Sequence, residues 1–328
     1  MNRSVSIRNF KCLRSVDVEL EPLTVLIGKN DTGKSSFLQA LTFFVAAYEG
    51  PDTQRKAQVT QGVGLKELSV SARLDGRDYV VDMAIGKSRN FGGPALEART
   101  NPQSFAESPW KGAQPPYCLD PDLLRSPAQV GALSGPLPPK GEHLVDAVDR
   151  LPLEQQNLLQ KAFRERVRTI RQIVPARVSG KKGYKELTFD LSSGGNIPAA
   201  QASDGVMLLL AFLTIMHDKH APGLIMIEEP ENGIHPKQLE YVVKSLLSLT
   251  KNDPPIQVIL TTHSPYVLDF VPKEAVRVFA RVEDREVVVR PFAEIAEIAD
   301  MLSSGFSLGE AWFNTDENEL IRDGGNAG

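Results

Sequence analysis

Between an apolar run, LTVLI at 23–27, and a stretch of helical apolar spacing, SSFLQALTFFVAA, the chain reads GKNDTGKSS from Gly28 to Ser36. The spacing G-x-x-x-x-G-K-[ST] is met by Gly28, Gly33, Lys34 and Ser35. Four constrained positions recur by chance in about one chain in a hundred of this length, and the strand-before, helix-after context makes chance rarer still. The physics is specific. Glycines let the backbone curl so that successive N–H groups converge on an anion. A helix N-terminus adds partial positive charge. Asn30 and Asp31 tolerate the left-handed dihedrals such a turn demands. The stretch therefore predicts a nucleotide site made by Asn30, Asp31, Thr32, Gly33, Lys34, Ser35 and Ser36. In it Lys34 reaches the β- and γ-phosphates and Ser35 ligates Mg²⁺.

The chain around this turn alternates strands with helices. VSIRNF and SVDVEL alternate apolar and polar residues, as a half-buried hairpin does. LKELSVSARLDGRDYVVDMAIG reads as two strands punctuated by Asp-Gly. From Gly86 to Gly141 lie ten of the 23 prolines, which predicts an insertion of loops rather than a packed unit. LPLEQQNLLQKAFRERVRTIRQIV returns to helical spacing and opens a helical lobe over 142–185. Further on, YKELTFDLS reads as a strand and VMLLLAFLTIM as a buried helix. GLIMIEEPENG and IQVILTTHSP read as buried strands on either side of an amphipathic helix, PKQLEYVVKSLLSLT, and VRVFARVEDREVVVRPF closes as a hairpin. The expected fold class is α/β: a layered mixed sheet with flanking helices, plus N-terminal antiparallel strands. Ligands of such sheets bind beyond the carboxyl ends of the strands.

Two more motifs sit at strand ends. Glu228 and Glu229 follow LIMI side by side, and adjacent carboxylates repel unless a cation is present. Beside a phosphate loop, Glu228 reads as the acid on the Mg²⁺ side, directly or through water, and Glu229 as general base for the attacking water. His263 follows VILTT and is placed to contact the γ-phosphate or that water. A further stretch, Ser203-Asp204-Gly205, opens the apolar helix and is fully accounted for as an N-cap.

Composition narrows the setting. The net charge of −4 makes a nucleic-acid site, if present, a local patch. The sequence has no apolar run of membrane-spanning length and no signal-peptide pattern, and its two cysteines lack metal or disulfide spacing. A cytoplasmic protein with reduced thiols and no membrane partner is expected.

In their order, the phosphate loop, Ser203, the acidic strand and His263 resemble the ATP-binding-cassette type of ATPase head. VSIRNFKCLRSVDVELEPLTVLIGKNDTGKSS is similar to the N-terminus of the RecF, SMC and OLD (overcoming lysogenization defect) ATPases. IEEPENGIHP and TTHSPYVLDF resemble the OLD-type branch and its short relatives. The resemblance implies a P-loop NTPase of 328 residues that hydrolyses ATP as a head-to-head homodimer. Two ATPs would be sandwiched, Ser203 and Gly205 of one subunit meeting the γ-phosphate held by Gly33, Lys34 and Ser35 of the other. Asn232 would lie near that interface.

Departures from the pattern are Asp31, where SMC and RecF heads usually carry glycine, and Glu228, where an aspartate is usual. The glutamine that normally bridges Mg²⁺ and water is not singled out among Gln54, Gln58 and Gln61. The tail, with Asp316, Glu317 and Glu319, leaves no room for the nuclease fold of OLD nucleases and reads as a solvated terminus.

From Lys161 to Lys185 there are nine Lys or Arg and one acid, Glu165. Arg164, Arg168 and Arg171 are expected on one helical face, with Arg177, Lys181, Lys182 and Lys185 following in a loop. Such a patch suits DNA phosphates. Three readings follow: a DNA-linked ATPase in repair or anti-phage defence, with a separately encoded effector; the ATP-binding subunit of another assembly such as a transporter; and a nucleotide-gated switch with little hydrolysis. The absence of LSGGQ disfavours transport, and Glu229 disfavours a pure switch.

Overall fold

The computed structural model describes residues 3–49, 67–87, 94–100, 105–282 and 286–315. The chain divides into two compact units: Met1–Pro116 with Gly223–Glu228 and Asp253–Gly328, and Tyr117–Pro222 with Glu229–Asn252.

Among its described residues the first unit holds two sheets. One is antiparallel, in the order β2-β1-β4-β5-β6. Its strands are β1 (Arg3–Phe10), β2 (Leu13–Leu20), β4 (Glu67–Leu74), β5 (Arg77–Lys87) and β6 (Pro94–Thr100). The expected hairpin of VSIRNF and SVDVEL is present, with Ile7 opposite Val16. Asp75 and Gly76 turn β4 into β5 with φ of 50° and 83°, the paired positive values a two-residue hairpin loop requires.

The second sheet runs β11-β12-β3-β13-β14. It is built from β3 (Leu23–Ile27), β11 (Leu224–Glu228), β12 (Gln257–Thr262), β13 (Val276–Val282) and β14 (Glu286–Pro291). The first four are parallel, and β14 closes antiparallel on β13. All residues of β3 and β12 are buried, as strands covered on both faces must be. Helix α1 (Lys34–Glu49) follows β3 directly and buries Phe37, Leu38, Leu41, Phe44 and Val45. Phe37 meets Phe279 of β13 edge-on at 5.8 Å. Arg3 is buried, donating to Gln257 Oε1 at 3.1 Å and pairing with Asp75 at 2.8 Å.

The proline-rich segment departs from expectation. It is loop-rich but packed. Phe105 and Trp110 are buried in the first unit's core, where Tyr48 stacks on Phe105 at 4.6 Å. Tyr117, Leu124 and Leu137 are buried in the second unit. Proline removes ladder donors, which shortens regular elements, but it does not prevent apolar side chains from finding a core.

The second unit is organised on α5 (Asp204–His217), around which lie α2 (Pro121–Leu124), α3 (Leu144–Arg150), α4 (Leu153–Arg166) and α6 (Pro236–Leu249). Every residue of α5 from Met207 to Ile215 is buried, as a helix apolar on all sides must be. A small sheet joins β7 (Ala128–Gln129), β8 (Ile170–Arg177), β9 (Tyr184–Leu191) and β10 (Asn196–Pro198).

Here a second expectation fails. The helical spacing after Leu151 does not persist to Val174. The helix α4 ends at Arg166, and Ile170 already begins β8. VRTIRQIV is rich in β-branched residues, which favour a pleated surface. The Gln160 amide fastens β8 to α4, donating to Ile173 O at 2.7 Å and accepting from Ile173 N at 3.0 Å. Arg164, Arg168 and Arg171 therefore stand on a helix, a turn and a strand, not on one helical face.

Helix α7 (Pro265–Leu268) is joined in the first unit by α8 (Ala296–Ser303) and α9 (Leu308–Asn314). Among the described residues, no helix is long and apolar enough to cross a membrane.

Candidate nucleotide site

The loop after β3 has the curled backbone its sequence requires. Gly28, Asp31 and Gly33 take φ of 151°, 63° and 98°. A Cβ at Gly28 would lie 2.1 Å from Phe279 O and 3.0 Å from Thr32 Oγ1. The Thr32 hydroxyl donates to Lys29 O at 2.8 Å, closing the turn on itself. Lys34 is 5% exposed, and its ammonium donates to Gly28 O at 2.6 Å and Lys29 O at 2.7 Å. A buried cation is thus held over the loop at the first residue of α1, where the helix amides have no intrahelical acceptors. Lys29, Asn30, Asp31 and Ser35 are exposed and Ser36 is half-buried. The Cys12 thiol donates to Ser36 Oγ at 3.4 Å. An exposed hydroxyl, a buried ammonium and the amides of a helix N-terminus suit a polyphosphate with its cation.

Gly28→Ala tests the loop's backbone. The crowding against Phe279 O, together with the positive φ, is expected to destabilise the fold by about 2–4 kcal/mol. Urea unfolding reads this, and an unchanged midpoint would contradict the loop geometry.

Parallel pairing sets the remaining groups beside the loop. Glu228 is level with Thr261 of β12, and Thr262 is level with Ile27 of β3. Neighbouring strands lie about 4.8 Å apart. The carboxyl ends of β11, β12 and β3 thus bring Glu228, His263 and Gly28 to one edge of one sheet. Glu228 and His263 are half-buried. Beyond His263, Ser264 N donates to Thr262 Oγ1 at 3.0 Å.

The remaining residues belong to the second unit. Glu229 has a φ of 47°, an uncommon left-handed position for a glutamate. Asn232 Nδ2 donates to Glu229 Oε2 at 2.7 Å, and Asn232 N to Glu229 O at 3.0 Å. This turn lies on the start of α5, since a Cβ on Gly205 would be 3.3 Å from Gly233 O. Ser203 is the exposed N-cap of α5, and its side chain makes no capping hydrogen bond. Arg125 braces the same corner, donating to Ala202 O at 2.9 Å and pairing with Asp204.

Sequence reasoning did not foresee the Asn232–Glu229 bond or the Arg125 brace. An acid and an amide three residues apart in a turn are a usable signal for the first. Arg125 lies 79 residues before its partner and leaves no local signal. Gln54, Gln58 and Gln61, and the tail acids Asp316, Glu317 and Glu319, lie outside the described residues. Among the described residues no group of three or more His, Cys, Asp or Glu could hold a metal ion.

Fold and motif order together define the class: the chain is a P-loop ATPase, similar to the ATP-binding-cassette type heads of the RecF, SMC and OLD group. Residues 1–73 match the model of an "AAA ATPase domain", and residues 122–269 that of an "AAA domain, putative AbiEii toxin, Type IV TA system". An OLD nuclease of Thermus scotoductus is 24% identical over 98% of this chain and 70% of its own length. The Retron Vc95 probable ATPase of Vibrio cholerae is 27% identical over half of this chain and 33% of its own. A solved SMC head, bound there to the C-winged helix domain of ScpA, shares the fold. Its TM-score is 0.57 at 12% identity, covering 88% of this chain and 96% of that one.

Proposed function

We propose that two copies of this chain close head to head around two ATP molecules, hydrolyse them and so reopen. The observation that supports this best is the alignment of three strand ends, which sets Glu228 and His263 beside the phosphate loop. In this reading the amides from Asn30 to Ser36 and the Lys34 ammonium bind the triphosphate. Ser35 and Glu228 would supply oxygen ligands to a Mg²⁺ ion, a cation that oxygen donors suit. The cation, when bound, neutralises phosphate charge. Glu229 accepts the proton of the attacking water. Asn232 occupies one of its carboxylate oxygens and thereby aims the other. His263 contacts the γ-phosphate or the water.

Ser203 and Gly205 act across the dimer. Ser203 is exposed and its side chain does not cap the helix it opens, so its hydroxyl is available to a phosphate from another copy. Gly205 keeps that corner narrow. Ser203→Arg is expected to leave ATP binding by the monomer intact and to prevent ATP-dependent dimers. Light scattering with and without ATP reads this, and dimers formed at wild-type ATP concentrations would refute the assignment.

The energy of closure is proposed to serve a DNA-linked process, repair or anti-phage defence, through a separately encoded effector. The matches to an OLD nuclease and a retron ATPase support that direction. Arg164, Arg168 and Arg171 are all exposed and suit DNA phosphates. Replacing the three by alanine is expected to flatten the dependence of DNA affinity on salt by about three phosphate contacts. An unaltered slope would remove them from the interface.

A further inference from the structure

The tip of the β8–β9 hairpin carries more positive charge than its fold needs. Arg177 and Lys185 stand directly opposite each other in the ladder, where like charges destabilise an antiparallel pair. Lys181 and Lys182 follow in the connecting turn, whose backbone bends at Gly180 and Gly183 with φ of 73° and 80°. Among the described residues a single carboxylate answers these cations, Asp149 on Lys185. The Lys181 ammonium instead lies 3.7 Å from the centre of the Tyr184 ring.

These charges converge on a concavity. On the other edge of β9, β7 pairs Gln129 with Tyr184, and Val130 N donates to Gly183 O at 2.9 Å. Val130, although apolar, is 49% exposed. Together the hairpin tip and Val130 bound a pocket of about 470 Å³. Arg177, Lys181, Lys182 and Lys185 supply its charge, and Val130, Val178 and Tyr184 its apolar wall. That volume falls within the roughly 300–1,000 Å³ of small-molecule sites.

We propose that this pocket is a second anion site, sharing no residue with the phosphate loop, that takes a free phosphate-bearing molecule of mononucleotide size. Arg177, Lys181 and Lys182, which no carboxylate answers among the described residues, match two or more phosphates through charge-assisted hydrogen bonds. The valines and the tyrosine offer a surface to a ring. A DNA backbone fits less well, because it calls for charge spread along an extended face. Arg164, Arg168 and Arg171, the remaining candidates for such a face, do not line the pocket. The inference does not depend on ATP hydrolysis.

The test is calorimetric titration of the full chain with ADP. Lys34→Ala removes the main cation of the loop, so the equivalent it retains reports the pocket. Adding Lys181→Ala and Lys182→Ala, both at exposed positions, is expected to weaken that retained binding about tenfold or more. Inorganic tripolyphosphate should compete for it. The proposal is overturned if Lys34→Ala takes up no ADP, or if its ADP affinity is indifferent to the two lysines. It is equally overturned if a single-stranded oligonucleotide, and not ADP, binds through them. Should Lys34→Ala retain two equivalents, the loop assignment fails instead, and the pocket is still judged by the loss of one equivalent with the two lysines.

Discussion

Lys34→Ala is expected to weaken ATP binding at the phosphate loop by about a hundredfold or more, and with it to eliminate hydrolysis. Hydrogen bonds to charged groups contribute about 1.5–3 kcal/mol each, and an ammonium beside a phosphate adds its charge to the bond it makes. The ammonium is buried at the loop, where water screens it little. Its donation to Gly28 O and Lys29 O shows that it already lies over the curl that an anion would fill. Binding of a fluorescent ATP analogue measures the loss, and circular dichroism confirms that the variant is folded. Wild-type affinity in a folded Lys34→Ala protein would overturn the phosphate-loop assignment.

Glu229→Gln is expected to lower kcat by about 10²–10⁴, the usual contribution of a general base, while ATP stays bound. The amide keeps the size of the carboxylate, and its oxygen can still accept from Asn232. Binding and closure should therefore survive while proton abstraction fails, and ATP-bound dimers should accumulate. Single-turnover hydrolysis and size-exclusion chromatography read the two effects. A variant that hydrolyses at the wild-type rate would remove Glu229 from catalysis. The left-handed backbone at Glu229 agrees with such a role, because strain of this kind is held where the surroundings fix it.

Local pattern made much of this legible in the sequence. A five-residue apolar run, a glycine-framed turn and helical spacing gave β3, the loop and α1 together, since each follows from sterics over a few residues. The position of Glu228 and His263 at strand ends was legible because a buried parallel strand has few ways to end. What escaped was non-local. Trp110 and Phe105 sit in a proline-rich stretch whose packing depends on Phe44 and Tyr48, more than fifty residues earlier. The break after Arg166 escaped for a different reason. Charged residues interleaved with valine and isoleucine satisfy helical and strand spacing alike, and the β-branched residues decided between them.

Where a triphosphate lodges and what closes over it decide the function of this chain. The most direct measurement is a crystal structure of the full chain with a nonhydrolysable ATP analogue and magnesium. The expected result is a two-fold dimer, with each triphosphate on the amides of residues 28–36 and each γ-phosphate met by Ser203 of the other copy. A phosphate loop left empty of nucleotide, or nucleotide held at the loop of a chain that stays monomeric, would contradict it.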